Sequence, residues 1–161
     1  MNGIIDLATR VGSTLKAKGL LLATAESCTG GGVAHAVTEI AGSSEWFDCG
    51  FVTYSNASKT HLLNVPAAVI AQFGAVSEEV ADAMAEGALA NSNAHVAVST
   101  TGIAGPGGAV PGKPVGTVCF GWSYGGKTWT ERLVFAGNRQ SVREQTVIHS
   151  LQGVLRLLEK T

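Results

Sequence analysis

Ser27, Tyr54 and Lys59 are the residues of this chain whose types and settings could do chemistry. Ser27 lies within Thr24-Ala25-Glu26-Ser27-Cys28-Thr29-Gly30-Gly31-Gly32, and Tyr54 and Lys59 stand five apart in Tyr54-Ser55-Asn56-Ala57-Ser58-Lys59. A serine hydroxyl is a weak nucleophile until a base takes its proton. A desolvated lysine beside a helix N-terminus is driven towards the neutral amine and can be that base. His35, His61, His95 and His149 accompany no carboxylate in a recognisable motif, so a Ser-Lys pair fits better than a Ser-His-Asp triad. The same residues also fit a plain βα connection with a polar helix cap, a tyrosine packing its ring and a lysine reaching solvent.

These side chains need elements to hold them. The apolar run Leu20 to Ala23 reads as a strand, Thr24 to Gly32 as a strand-to-helix turn, and Val33, Ala36, Val37 and Ile40 as one face of a helix of about three turns ending near Gly42. Three successive glycines would let backbone N–H groups approach a ligand, and the helix that follows would turn its positive end towards an anion or oxyanion. Trp46 to Ser55 reads as a strand, and Asn56 as the N-cap of a short helix from Ala57 to Leu63. Lys59 then falls in the first turn of that helix, where the dipole disfavours a cation.

Upstream, Ile4, Leu7, Ala8, Val11 and Leu15 recur at helical spacing and stop at Gly19. Downstream, Pro66 opens a short helix that Gly74 ends, and Ser77-Glu78-Glu79 starts an Ala-rich one. His95 to Thr101 reads as a strand running into a second glycine-rich loop, Thr101 to Gly108. Val115 to Tyr124 and Thr128 to Phe135 form a hairpin at Gly125-Gly126, and Asn138 caps a long helix lined by Val142, Ile148, Leu151, Leu155 and Leu158. The pattern predicts one domain over 1–161, a three-layer α/β/α sandwich on a mixed, mostly parallel sheet of about five strands with one antiparallel hairpin. Ligands of such sheets bind beyond the carboxyl ends of strands, where the loops after Ala23 and Thr100 and the Tyr54-Ser55-Asn56 end of the second strand would converge.

Composition narrows the function. A net charge of −1, a pI near 6.4 and no Lys/Arg cluster give no footprint for nucleic acid. With neither a secretory leader nor a bilayer-length apolar run, the sequence reads as cytoplasmic and without a membrane partner. Three widely spaced cysteines, Cys28, Cys49 and Cys119, suggest neither a disulfide framework nor a zinc site, so no metal is expected. A charged fraction of 14% and 21 glycines leave apolar surface to cover, hence an expected homo-oligomer. Gly121 to Thr128 matches the phosphate-loop pattern letter for letter, yet it joins two strands where that loop must join a strand to a helix. Ser13-Thr14-Leu15-Lys16 has the Ser-x-x-Lys spacing but lies on an amphipathic helix with none of its companion motifs.

The blocks Thr24 to Gly31, Ala41-Gly42-Ser43-Ser44 with Trp46-Phe47, Gly50 to Asn56 with Lys59, Gly74 to Glu78, Thr101 to Gly108, Lys113 to Val118, and Gly137-Asn138-Arg139 with Arg143 resemble, in order and over nearly the whole chain, the nicotinamide-nucleotide amidohydrolases, also found as the C-terminal domain of the competence-damage-inducible protein CinA. The family often has Asp at Asn138 and a bulkier residue at Gly32. What the resemblance implies is hydrolysis of the carboxamide of nicotinamide mononucleotide, a small-molecule nucleotide, without metal or cofactor. It puts the nucleophile on Ser27, the lysine on Lys59 and the tyrosine on Tyr54. The binding set expected with them is Cys28, Thr29, Gly30 and Gly31 around the oxyanion, and Asn56, Thr101, Gly102 and Arg143 around the substrate, with Arg143 or a glycine loop on the phosphate. A regulatory nucleotide-binding module and an amidase of different substrate are the alternatives.

Overall fold

A computed structural model describes residues 2–160. Helix α1 (Asn2–Lys18) turns Leu7, Ala8, Val11 and Leu15 inward. It stops where Gly19 takes φ +67°: Gly19 N–H donates to Lys16 O and Leu20 N–H to Leu15 O, which satisfies carbonyls the helix would otherwise orphan. The remaining elements are β1 (Leu22–Glu26), α2 (Gly32–Thr38), a 3₁₀ turn (Ser43–Glu45), β2 (Phe47–Val52), α3 (Asn56–Leu63), α4 (Ala67–Phe73), α5 (Glu78–Ala90), β3 (Val96–Gly102), β4 (Thr117–Tyr124), β5 (Lys127–Val134) and α6 (Arg139–Glu159). No described helix is long and apolar enough to cross a membrane.

The sheet order is β2-β1-β3-β4-β5. β1 pairs in parallel with β2 and β3, whereas β4 is antiparallel to both its neighbours, so only β4 runs against the other strands. Alternation along the central strands divides the core into two layers. Leu22, Val96, Val98, Val118, Phe120 and Trp122 face α1, α2 and α6; Ala23, Ala25 and Ala97 face Leu63 of α3 and Val80, Met84, Ala85 and Ala88 of α5. The second layer is thin because its residues are small. Ser99 Oγ donates to Ala81 O at 2.6 Å, and a Cβ on Gly121 would stand 2.6 Å from that same carbonyl, so α5 lies close on the sheet.

Sequence expectation and structure part at element ends. Thr24, Ala25 and Glu26 continue β1 and do not form the turn, because Glu26 is still in register with Val52 on one side and Thr100 on the other. Helix α2 has two turns where the sequence predicted about three; Thr38 Oγ1 bonds back to Ala34 O before Gly42 takes φ +85°. Ser55, not Asn56, caps α3: Ser55 Oγ accepts from Ser58 N–H at 3.1 Å. Ser77 and Asn138 cap α5 and α6 as expected, and the two-residue Gly125-Gly126 turn, both φ positive, closes the hairpin.

Candidate active site

The carboxyl ends of β1, β2 and β3 lie side by side, and each passes into a loop that supplies one wall of a cavity of about 260 Å³. Ser27 is the first residue beyond β1, and its N–H donates to Thr100 O of β3 at 2.9 Å. Tyr54 follows β2, and Lys59 returns towards the sheet from the first turn of α3. Lys59 Nζ donates to Ser27 Oγ at 3.0 Å and to Tyr54 O at 3.1 Å. The lysine is 1% exposed, and Ser27 is buried too. Among the described residues no carboxylate offsets the loss of water around the amine, and burial pushes the Lys59 pKa below its ordinary value. The opposing pull comes from Cys28. It requires a thiolate, and burial together with the nearby Glu26 pushes the Cys28 pKa up to about 12. Near neutral pH Cys28 is therefore a thiol, neither a partner for an ammonium nor a competing nucleophile.

Cys28, Tyr54, Asn56, Thr101 and Gly102 line the cavity with Ser27 and Lys59. The part of Tyr54 that meets the pair is its carbonyl; the ring stands at the mouth, 62% exposed, and its hydroxyl accepts from Arg139 Nη2 at 3.2 Å. Thr101 Oγ1 donates to Ala75 O at 2.8 Å, tying the end of β3 to the loop before α5. A Cβ on Gly102 would lie 2.8 Å from Val118 Cγ2 and 3.1 Å from Cys28 Sγ, so a side chain there would displace the floor of the site.

Four predicted residues fall elsewhere. Thr29, Gly30, Gly31 and Arg143 are not on the cavity wall. Gly30 N–H is spent on Ser27 O at 3.1 Å, closing a tight turn that positive φ at Gly30 and Gly31 carries into α2. Arg143 reaches the loop from behind, Nε to Cys28 O and Nη2 to Thr29 O. The start of α2 faces no ligand, because Glu26, 1% exposed, takes its amides: Oε1 accepts from Val33 N–H at 2.8 Å and Oε2 from Ala34 N–H at 2.9 Å. Thr29 Oγ1 also donates to Glu26 and lies 2.9 Å from Thr100 Oγ1.

Sequence reasoning placed neither Glu26 nor Arg139 in the site. Arg139 lines the cavity, with Nη1 on Gly105 O at 2.7 Å. It was discoverable by the signal that singled out Lys59, a cation in the first turn of a helix. Glu26→Gln is expected to lower folding stability by about 1 to 3 kcal/mol, because the amide NH₂ would face the Ala34 N–H in a buried place. Chemical denaturation measures this, and an unchanged midpoint would show that the α2 amides do not need the carboxylate.

A larger cavity, about 610 Å³, lies between Trp122, Tyr124, Lys127, Trp129 and Arg156. Tyr124 pairs with Val96, so this cavity sits at the amino end of β3, opposite Ser27 and Lys59, and the phosphate-loop imitation ends there as a hairpin. Among the described residues no cluster of His, Cys, Asp and Glu has metal-ligating geometry.

A hydroxyl hydrogen-bonded to a buried lysine in a cavity beyond the carboxyl ends of an α/β sheet is an arrangement that suits nucleophilic chemistry. The chain is 52% identical over 98% of its length to the nicotinamide-nucleotide amidohydrolase PncC of Pseudomonas putida, and covers 98% of that protein. It is 50% identical over 92% of its length to PncC of Escherichia coli K12, of which it covers 91%. A CinA-superfamily crystal structure from Klebsiella pneumoniae 700603 superposes with a TM-score of 0.95 at 37% identity, covering 98% of this chain and 99% of that one. The competence/damage-inducible protein of Agrobacterium tumefaciens gives 0.94 at 43% identity, with 96% and 95% covered. The protein is thus an enzyme of the amidohydrolase class. It belongs to the CinA C-terminal domain family, whose model matches residues 4–158.

Proposed function

We propose that this enzyme hydrolyses the carboxamide of nicotinamide mononucleotide to nicotinic acid mononucleotide and ammonia, with Ser27 as nucleophile and Lys59 as base. The observation that carries the chemistry is the 3.0 Å contact between Ser27 Oγ and the Nζ of a lysine that is 1% exposed and has no ion-pair partner among the described residues. The substrate is drawn from the relatives' names, and the site suits it: a cavity of 260 Å³ is at the small end for ligand sites, room for a ring and its carboxamide, while Arg139 and Tyr54 stand at the wall and mouth where a phosphate would lie.

Neutral Lys59 takes the Ser27 proton as Oγ bonds to the amide carbon. The resulting oxyanion is held by backbone N–H groups of the Ser27 loop. The C–N bond then breaks, Lys59 returns the proton to the leaving nitrogen, and ammonia departs from an ester on Ser27. Water attacks that ester with Lys59 again taking a proton, the acid leaves, and Ser27 recovers its hydroxyl. Tyr54 contributes through its carbonyl, which fixes the amine, and Lys59 alone carries the protons.

Purified protein incubated with nicotinamide mononucleotide is expected to release ammonia and nicotinic acid mononucleotide in equal amounts. No release would overturn the proposal, and release from other carboxamides alone would move the substrate.

A further inference from the structure

The backbone of the Ser27 loop leaves few donors free, and what holds each peptide decides which. Ser27 O accepts from Gly30 N–H, so in that planar trans peptide the Cys28 N–H points the opposite way, where it meets only its own thiol. Arg143 does the same to the next two peptides. Its Nε donates to Cys28 O at 3.1 Å, which turns the Thr29 N–H away from the guanidinium, and its Nη2 donates at 3.2 Å to Thr29 O, which Gly32 N–H also holds at 3.0 Å. The Gly30 N–H goes to the turn, and the Thr29 N–H has no acceptor among the described residues. The Thr29 amide is thus unspent, and the Cys28 amide meets only its own thiol, at the turn that opens with Ser27, where an oxyanion on a Ser27-bound carbon needs donors.

We propose that Arg143 is a positioning residue which, by gripping two carbonyls with its planar fork, sets the Thr29 amide for the oxyanion, and that it is not a phosphate ligand. The inference rests on the acyl-transfer reading above. Arg143 suits the task because one guanidinium can hold two adjacent carbonyls in fixed relation, which a lysine cannot. The phosphate falls instead to Arg139, four residues earlier and on the cavity wall.

The test compares wild type, Arg143→Met and Arg143→Lys on nicotinamide mononucleotide and on the nucleoside that lacks its phosphate. A misdirected oxyanion donor is expected to lower kcat about 10- to 100-fold on both substrates with KM within about twofold. Guanidinium ion should restore part of the loss in Arg143→Met, because the position is solvent-exposed. A higher KM confined to the phosphorylated substrate, or no change in either constant, would overturn the inference. Acylation by p-nitrophenyl acetate separates this from failure of the proposed function. Wild type that acylates rapidly but ignores the nucleotide, with a slow Arg143→Met burst, would leave the positioning role standing and remove the substrate. Equal bursts in wild type and variant would remove the positioning role alone, and no burst in wild type would remove both. Should Arg143→Met not fold, Arg143→Lys, which keeps the charge and loses the fork, carries the same kinetic expectation.

Discussion

Ser27→Ala is expected to reduce deamidation by on the order of 10⁴-fold or more while leaving ligand affinity within a few-fold of wild type. The alanine removes one atom from a cavity whose other walls come from Cys28, Tyr54, Asn56, Thr101 and Arg139, none of which depends on the hydroxyl for its place. The loss therefore falls on kcat, and calorimetric titration with substrate should still show binding. Nothing nearby can replace the nucleophile. Cys28 is adjacent, but with its pKa pushed up to about 12 only roughly 10⁻⁵ of it is thiolate at pH 7. Removing Oγ also takes from Lys59 one of its two hydrogen-bond partners, leaving Tyr54 O, so a modest fall in thermal midpoint should accompany the kinetic loss. Turnover above about one per cent of wild type would exclude the serine mechanism.

The pair was legible in the sequence because its signals are local. A hydroxyl just past an apolar strand and a lysine in the first turn of a helix are both visible in a dozen residues, and the parallel strands then bring the two loops together. What was not legible depends on neighbours in space. Thr24 to Gly32 reads as a strand-to-helix turn that takes in Glu26; only the pairing of β1 with strands on both sides carries Glu26 into the interior, where the first amides of α2 are donors within reach. The helix start therefore meets the chain's own carboxylate where the sequence suggested a bound anion. Arg139 and Arg143 illustrate a second limit. Four residues apart on α6, they share one helical face and the same chemistry, so periodicity cannot tell which meets the cavity and which meets the back of the loop. The Ser55 cap, one residue from the predicted Asn56, reflects two adjacent residues of near-equal capping strength.

Lys59→Met is expected to lower kcat by about 10²- to 10⁴-fold and to keep or raise the thermal midpoint, a combination that a solvated lysine would not produce. Buried, with no carboxylate beside it among the described residues, Lys59 has a folded-state pKa below its ordinary 10.5. Between the two values the unfolded chain binds more protons than the folded one, so stability rises with pH across that window. Below the folded-state pKa the cost of holding the amine is present in full, and above 10.5 it is gone. The Met variant lacks this dependence, so its stability advantage over wild type should be greatest at the lower pH and shrink as pH approaches the ordinary lysine range. Activity follows the same titration with the same sign. Wild-type kcat/KM should climb tenfold per pH unit below the folded-state pKa and level off above it, because only the neutral amine can accept the Ser27 proton. Lys59→Arg sharpens the test, since a guanidinium keeps a cation at the site but does not deprotonate in this range, and it should be inactive at every pH. Full activity in Lys59→Met, or a wild-type profile flat with pH where its thermal midpoint still rises, would remove Lys59 as the base even if Ser27 remained the nucleophile.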